Sequence, residues 1–152
     1  MRFLFITLFF TIITNSYTIS WTKEFNGTSS SEKINLSDGR TVSHYKNSGN
    51  WKDSFGNYGT QKCYGTILIN SREKIEDWKL FCEGMDQDRN NFVLEYFRNS
   101  DMEAGTGSYV FIDGTGKWKK LIGTKCNYAV KRTKNMLFSE AICKLPDELF
   151  RK

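Results

Sequence analysis

The sequence contains a single histidine and a single proline, and both scarcities are informative. With only His44, and with no C-x-x-C spacing among the four cysteines, the sequence predicts no zinc site. A Ser/His/Asp triad has no support either, because His44 lies on the outer part of a predicted long strand. Pro146 follows the last predicted strand, so it interrupts no ladder of hydrogen bonds. We therefore predict no metal, no cofactor and no catalytic residue.

The sequence also lacks an apolar run long enough to cross a bilayer. Its one apolar-rich segment, Phe3–Ile13, has about eleven residues, whereas a transmembrane helix needs about twenty. This segment follows the basic start Met1-Arg2 and precedes small polar residues, which predicts a secretory signal peptide over residues 1–20. Cleavage after Ser16 or after Ser20 fits the small-residue requirement, and a retained membrane anchor is the alternative. We expect a secreted or periplasmic protein with no transmembrane segment after signal removal.

The excess of basic over acidic residues is also small. The formal net charge is +5, and the basic residues are dispersed among acidic ones. The tightest basic cluster is the short segment Lys117–Lys120. Nucleic-acid binding would require a stripe of Lys and Arg with aromatics on the same face, so we predict no nucleic-acid partner.

Four cysteines are present, and they form two pairs that are symmetric about predicted turns. Cys63 and Cys82 are equidistant from the Arg72-Glu73 step, and Cys126 and Cys143 are centred on Lys134-Asn135. Residues equidistant from a hairpin turn face each other at a distance that a disulfide tolerates. We therefore favour Cys63–Cys82 and Cys126–Cys143 among the three possible connectivities, together with an oxidising compartment.

Short runs rich in aromatic and β-branched residues fill the chain after the signal, separated by turn residues. The predicted strands are Trp21–Gly27, Glu32–Leu36, Arg40–Asp53, Tyr58–Asn70, Asp77–Met85, Asn91–Arg98, Ser108–Asp113, Gly123–Arg132 and Leu137–Lys144. Hairpin-like spacing predicts a single all-β domain over residues 21–146, an antiparallel up-and-down barrel of about eight strands. A two-sheet sandwich is the alternative. Thr115–Leu121 could form one helical turn, and residues 147–152 form a tail.

The segment Asp113–Gly123 contains Gly-x-Gly at the end of a strand, then an aromatic, then a glycine that opens the next strand. Gly114, Gly116, Trp118 and Gly123 occupy these places, and this pattern resembles allene oxide cyclase-like and dirigent-like barrels. The resemblance implies an eight-stranded barrel and carries over no catalytic residue.

Two further resemblances concern the segment around Trp51. Trp51–Thr60, with the turn above, is similar to small secreted bacterial proteins. Gly49-Asn50-Trp51 is similar to the Gly-x-Trp of lipocalin and avidin barrels, but here it lies on a later strand. We therefore transfer no lipid or biotin binding.

Aromatic residues make up 15% of the chain, which suits either a filled core or a pocket with polar rims. We name Trp51, Tyr64, Glu95 and Tyr96 as candidate ligand-binding residues. Glu95 would have a raised pKa if its face pointed inward.

We expect a non-enzymatic barrel that binds a small apolar or amphipathic ligand or a surface partner. One alternative is a cyclase-like or isomerase-like enzyme, which would require a cavity with converging polar groups such as Glu95 and a tyrosine hydroxyl. The other is a structural envelope or interaction protein.

Overall fold

A computed structural model describes residues 18–98 and 104–146, which form one closed antiparallel barrel of eight strands. The strands are β1 Thr18–Asn35, β2 Thr41–Asp53, β3 Tyr58–Ile69, β4 Ile75–Asp86, β5 Asn91–Arg98, β6 Ala104–Gly114, β7 Lys125–Thr133 and β8 Met136–Pro146, with a 3-10 helix at Gly116–Leu121 between β6 and β7. Each strand pairs with its neighbours in sequence, and β1 closes the barrel by pairing with β8. The predicted up-and-down barrel is confirmed, and the sandwich is wrong.

The strand count differs from the prediction at the N-terminal side. The two predicted strands Trp21–Gly27 and Glu32–Leu36 are one continuous strand, β1. The residues between these two predicted strands are polar, but none of them is a glycine or proline that would favour a turn. Each part of this strand also has a partner, since β8 pairs with Thr18–Thr28 and β2 pairs with Lys23–Asn35. Strand β1 begins at Thr18, three residues before the predicted domain start, and residues 147–152 lie outside the described residues.

Both predicted disulfides are present, on the predicted rungs. Cys63 pairs with Cys82 across β3 and β4, and Cys126 pairs with Cys143 across β7 and β8. Their Cα atoms are 4.0 and 4.4 Å apart, respectively. All four cysteines are buried in the barrel interior, so the bridges join adjacent strands from the inside.

Three hairpin turns share one construction, in which the first side chain accepts two hydrogen bonds from the turn backbone. Asp53 Oδ1 accepts from the N–H groups two and four residues later, at 2.9 Å each. Asn70 and Asp86 do the same in their turns. The fourth residue of each turn has a positive φ, a conformation that glycine adopts most readily. This residue is Gly56 in the first turn, but it is Glu73 in the second turn and Arg89 in the third.

The 3-10 helix closes one end of the barrel, which we call the closed end. Its Trp118 is 2% exposed and packs edge-on against Phe92 and Trp51, with centroid distances of 5.0 and 5.5 Å. The Trp118 indole donates a hydrogen bond to Asp86 Oδ2 at 2.9 Å. The Lys117 ammonium lies 3.0 Å from the same oxygen. The Gly-x-Gly-x-Trp segment singled out in the sequence therefore forms the plug at this end.

Asp86 is ionised within this plug. Its burial opposes the charged form, but the hydrogen bonds from the Asn90 backbone, Lys117 and Trp118 outweigh that effect and lower its pKa. The closed end is therefore fixed by an anchored carboxylate as well as by aromatic packing.

Among the described residues, no helix is long and apolar enough to cross a membrane.

Removal of either disulfide should destabilise the barrel. The bridges close segments of 19 and 17 residues, and cross-links of this span stabilise by about 3 kcal/mol through loss of unfolded-state entropy. We expect the double variant Cys63→Ala/Cys82→Ala to lower the free energy of unfolding by about that amount, measured by urea titration.

A reducing agent is the control for this experiment. In its presence the wild type should lose both bridges, and its free energy of unfolding should fall. The Cys63→Ala/Cys82→Ala variant has only one bridge left to lose, so its free energy of unfolding should fall less. A variant with the wild-type urea midpoint under oxidising conditions would show that the bridge does not stabilise the fold.

Candidate functional site

The barrel interior changes character along its axis. The closed end is filled by the aromatic plug, with Trp21 and Phe111 also fully buried there. The opposite end, which carries the β1–β2, β3–β4 and β7–β8 turns, contains an internal cavity. We call this the open end. The β5–β6 connection, residues 99–103, lies outside the described residues.

The cavity is lined by apolar and aromatic side chains with several polar groups among them. Its lining residues are Phe25, Tyr45, Asn47, Gln61, Cys63, Trp78, Leu80, Tyr96, Arg98, Tyr128, Val130, Arg132, Leu137 and Ser139. The centres of water-sized molecules can occupy about 40 Å³ of this space. This volume is far below the roughly 300–1,000 Å³ of a site for a drug-sized ligand.

Four side chains cross the mouth of this cavity in a row, which we call the mouth row. The Arg98 guanidinium carbon lies 5.7 Å from the Trp78 ring centroid, and the Arg132 carbon lies 5.1 Å from that of Tyr45. The rings of Trp78 and Tyr45 contact each other at 6.1 Å. Two arginines on β5 and β7 are thus positioned by two aromatics on β4 and β2. Both guanidinium groups of the mouth row thus lie over ring faces.

Several buried polar atoms around the cavity have no hydrogen-bond partner among the described residues. They include two N–H donors of the mouth row, Arg132 Nε and Trp78 Nε1, and the acceptor Asn47 Oδ1. An unmade hydrogen bond at a buried polar atom costs about 1–3 kcal/mol. These atoms therefore favour a polar occupant of the cavity, whether water or a ligand group.

Three tyrosine rings contact one another below the mouth row. The ring centroid of Tyr96 lies 4.9 Å from that of Tyr109 and 5.1 Å from that of Tyr128. Burial raises the pKa of Tyr128 to about 12 despite the opposing effect of Arg98, and burial raises the pKa values of Tyr96 and Tyr109 as well. All three hydroxyls are therefore protonated at neutral pH, when they act as hydrogen-bonding groups rather than as bases.

A buried lysine lies between the plug and the cavity. Lys23 is 3% exposed, and its ammonium donates a hydrogen bond to Gln61 Oε1 and lies 4.8 Å from the centroid of Phe92. Burial lowers the pKa of Lys23 to about 7, an effect that the charge of Asp53 partly opposes. Gln61 also hydrogen-bonds Tyr96, so it connects this amine to the wall of the cavity.

The four candidate binding residues named from the sequence fall on different faces. Tyr96 lines the cavity, and Trp51 is buried in the closed-end plug, where its indole donates to the Thr60 carbonyl at 3.1 Å. Tyr64 lies on the outer face and is 61% exposed. Glu95 shares the outer face of β5 with Val93 and Phe97, because Phe92, Leu94 and Tyr96 occupy the inner one. The four residues therefore do not converge on one site.

The sequence analysis missed the charged residues of the interior, Lys23, Arg98 and Arg132. A signal existed for Lys23, since it alternates with Trp21 and Phe25, which both point inward. Arg98 follows Tyr96 at the same spacing, and Arg132 follows the alternating row that starts at Cys126. Cations at inward positions of a barrel strand are a stronger pointer to a site than the aromatics themselves.

Comparisons with protein-family models, with curated proteins and with solved structures give no match. The function therefore has to be argued from geometry. No group of three or more histidine, cysteine, aspartate or glutamate side chains within residues 18–98 and 104–146 could hold a metal ion.

Lys23 should give the barrel a measurable pH dependence. The unfolded lysine has a pKa of 10.5 and the folded one about 7. The cost of a buried charge is therefore fully present below pH 7, and it is relieved as pH rises, because only the folded state then loses the proton. We expect the wild type to gain stability relative to Lys23→Met between about pH 7 and pH 9, by at most about 1.4 kcal/mol per pH unit.

The matched control is Lys62→Met on the outer face of β3. Its free energy of unfolding should change with pH as that of the wild type does. The measurement is urea unfolding at each pH, kept below the range in which tyrosines of the unfolded chain ionise. If the wild-type and Lys23→Met curves keep a constant separation, Lys23 does not titrate in the folded barrel.

Proposed function

We propose that this protein is a non-enzymatic binding protein that holds a small amphipathic molecule in the open-end cavity. One observation carries the proposal: an aromatic and aliphatic cavity is bordered on one side by unpaired polar atoms and cationic side chains. Concave apolar walls with a few convergent polar groups are typical of small-molecule sites. The plug at the closed end supports the proposal, because it gives the cavity a floor.

The size of the cavity implies that the mouth row moves when a ligand enters. A free space of about 40 Å³ is too small for a whole ligand of drug size unless a wall of the cavity moves. Arg132 is partly exposed and makes a cation–π contact with Tyr45, and such contacts at exposed sites contribute about 0.5–1 kcal/mol. Displacement of the Arg132 side chain is therefore inexpensive, whereas expansion of the disulfide-bridged wall is not.

Binding is favoured over catalysis because of where the carboxylates lie. An enzyme of the cyclase or isomerase kind was expected to need Glu95 beside a tyrosine hydroxyl, but Glu95 lies on the outer face. No carboxylate or histidine occurs among the described residues that line the cavity. The allene oxide cyclase-like assignment stays a prediction, as does the alternative of a structural envelope protein.

We further propose that the protein acts outside the cytoplasm, in a secreted or periplasmic location, as the two disulfides favour. Of the two cleavage sites, the one after Ser16 retains all of β1. Cleavage after Ser20 would remove three residues that pair with Lys144, Leu145 and Pro146 of β8. We expect N-terminal sequencing of the mature protein to begin at Tyr17, and a start at Trp21 would contradict this.

The binding function is tested by filling the cavity. Val130 lines the cavity, whereas its neighbour Ala129 points outward. We expect saturation-transfer NMR to show binding of indole, a neutral aromatic probe, to the wild type and to Ala129→Phe. Binding should be lost in Val130→Phe, because its ring occupies the space that the probe needs.

Native mass spectrometry of the oxidised protein from its own source gives an independent measurement. A non-covalent mass that the wild type and Ala129→Phe retain, and that Val130→Phe lacks, would support the proposal. Circular dichroism has to show that both variants keep the wild-type fold. Equal probe binding by both phenylalanine variants would show that the cavity is not the binding site.

A further inference from the structure

We infer that the cavity takes an organic carboxylate, with the carboxylate bound at the mouth row by Arg132 and Trp78 and a compact apolar part held below it. This inference rests on the proposed binding function and names its ligand class. Hydrogen-bond donors, the charge of the mouth and the apolar lining below it support this ligand class.

The donors are the first argument. Arg132 Nε and Trp78 Nε1 are buried N–H groups that line one cavity and have no acceptor among the described residues. Neither can act as an acceptor, because guanidinium and indole nitrogens only donate. Each group therefore requires an oxygen with lone pairs from whatever occupies the cavity. Carboxylate oxygens are acceptors of this kind, and hydrogen bonds to a charged acceptor are about twice as strong as neutral ones.

The charge of the mouth is the second argument. Arg132 adds a positive charge, and no acidic side chain lies among the described residues of the cavity wall. Its guanidinium carbon lies over the Tyr45 ring, 5.1 Å from the centroid, which is a cation–π contact. This contact holds the side chain in place without giving Nε a hydrogen-bond acceptor.

The lining below the mouth is the third argument, and it excludes a purely inorganic anion. Leu80, Val130 and Leu137 contribute aliphatic surface there, and Tyr96 and Tyr128 contribute ring surface. An inorganic anion would leave this surface in contact with water or with nothing. The small volume also favours a single ring or a short chain over a long acyl tail.

The experiment compares three probes by isothermal titration calorimetry: benzoate, its neutral isostere benzamide, and inorganic phosphate. We expect benzoate to bind at least about tenfold more tightly than benzamide, since hydrogen bonds to a charged acceptor are about twice as strong as neutral ones. Phosphate should bind more weakly than benzoate because it has no apolar part. Added salt should weaken the binding of benzoate and leave that of benzamide nearly unchanged.

Two variants locate the carboxylate. Arg132→Gln should weaken benzoate about tenfold to a hundredfold with little effect on benzamide. Trp78→Phe keeps the ring and removes the indole N–H, and it should weaken benzoate about tenfold. The matched control is Arg40→Gln in the β1–β2 turn at the same end, where Arg40 pairs with Asp38 at 2.7 Å and lies outside the cavity. This control should bind benzoate as the wild type does.

Failure of this inference differs from failure of the proposed function. If indole and benzamide bind as tightly as benzoate, or if Arg132→Gln leaves benzoate binding unchanged, the carboxylate assignment is wrong and the binding function stands. Phosphate that binds as tightly as benzoate also overturns the assignment. If none of the probes binds, indole included, both proposals are overturned.

Discussion

The pairing of β1 with β8 is the constraint on which the rest of this molecule depends. It runs from Thr18 to Thr28 and turns a meander of hairpins into a closed barrel. Closure gives every strand one inner and one outer face, and with eight strands the interior is just wide enough for side chains to fill it. Every inward residue therefore competes for limited volume. The aromatic plug, the buried lysine and the cavity are three different uses of that volume.

The disulfides strengthen this constraint because they lie inside the barrel. Each bridge replaces a pair of large inward side chains by two sulfur atoms that tie adjacent strands together. The Cys126–Cys143 bridge lies near the buried hydroxyl of Tyr109, whereas Cys63 of the other bridge contributes to the cavity wall. The Cys63–Cys82 bridge thus ties together two strands, β3 and β4, that both contribute to the cavity wall.

The register of the hairpins was predictable from the sequence because residues equidistant from a hairpin turn face each other across the two strands. Once Cys63 faces Cys82, alternation places Gln61 and Ile67 inside and Tyr64 outside. The inner and outer faces of strand β5 were not predictable in this way, since both faces are rich in apolar and aromatic residues. The pattern alone therefore did not decide on which side Glu95 lies.

The continuity of β1 and the contents of the interior were harder to predict. A polar stretch of threonine and serines at residues 28–31 is typical of a loop, but here β2 pairs with the whole stretch and β8 pairs with it as far as Thr28. Cations in strands are usually solvated, so a charged side chain such as Lys23 or Arg132 is assigned outward by default. The inner position of these residues depends on aromatic faces from strands far away in sequence, which no local pattern reveals.

The mouth row shows how this barrel reconciles a cationic opening with an apolar interior. A guanidinium at the rim of an apolar cavity loses part of its hydration, and a ring face beneath it recovers some of that free energy without neutralising the charge. Tyr45 therefore keeps Arg132 at the mouth without neutralising its charge. An acidic residue in the position of Tyr45 would hold Arg132 more firmly but would cancel the charge. The aromatic contact is thus compatible with the proposed binding of a carboxylate, because it stabilises the empty mouth and leaves the cation unneutralised.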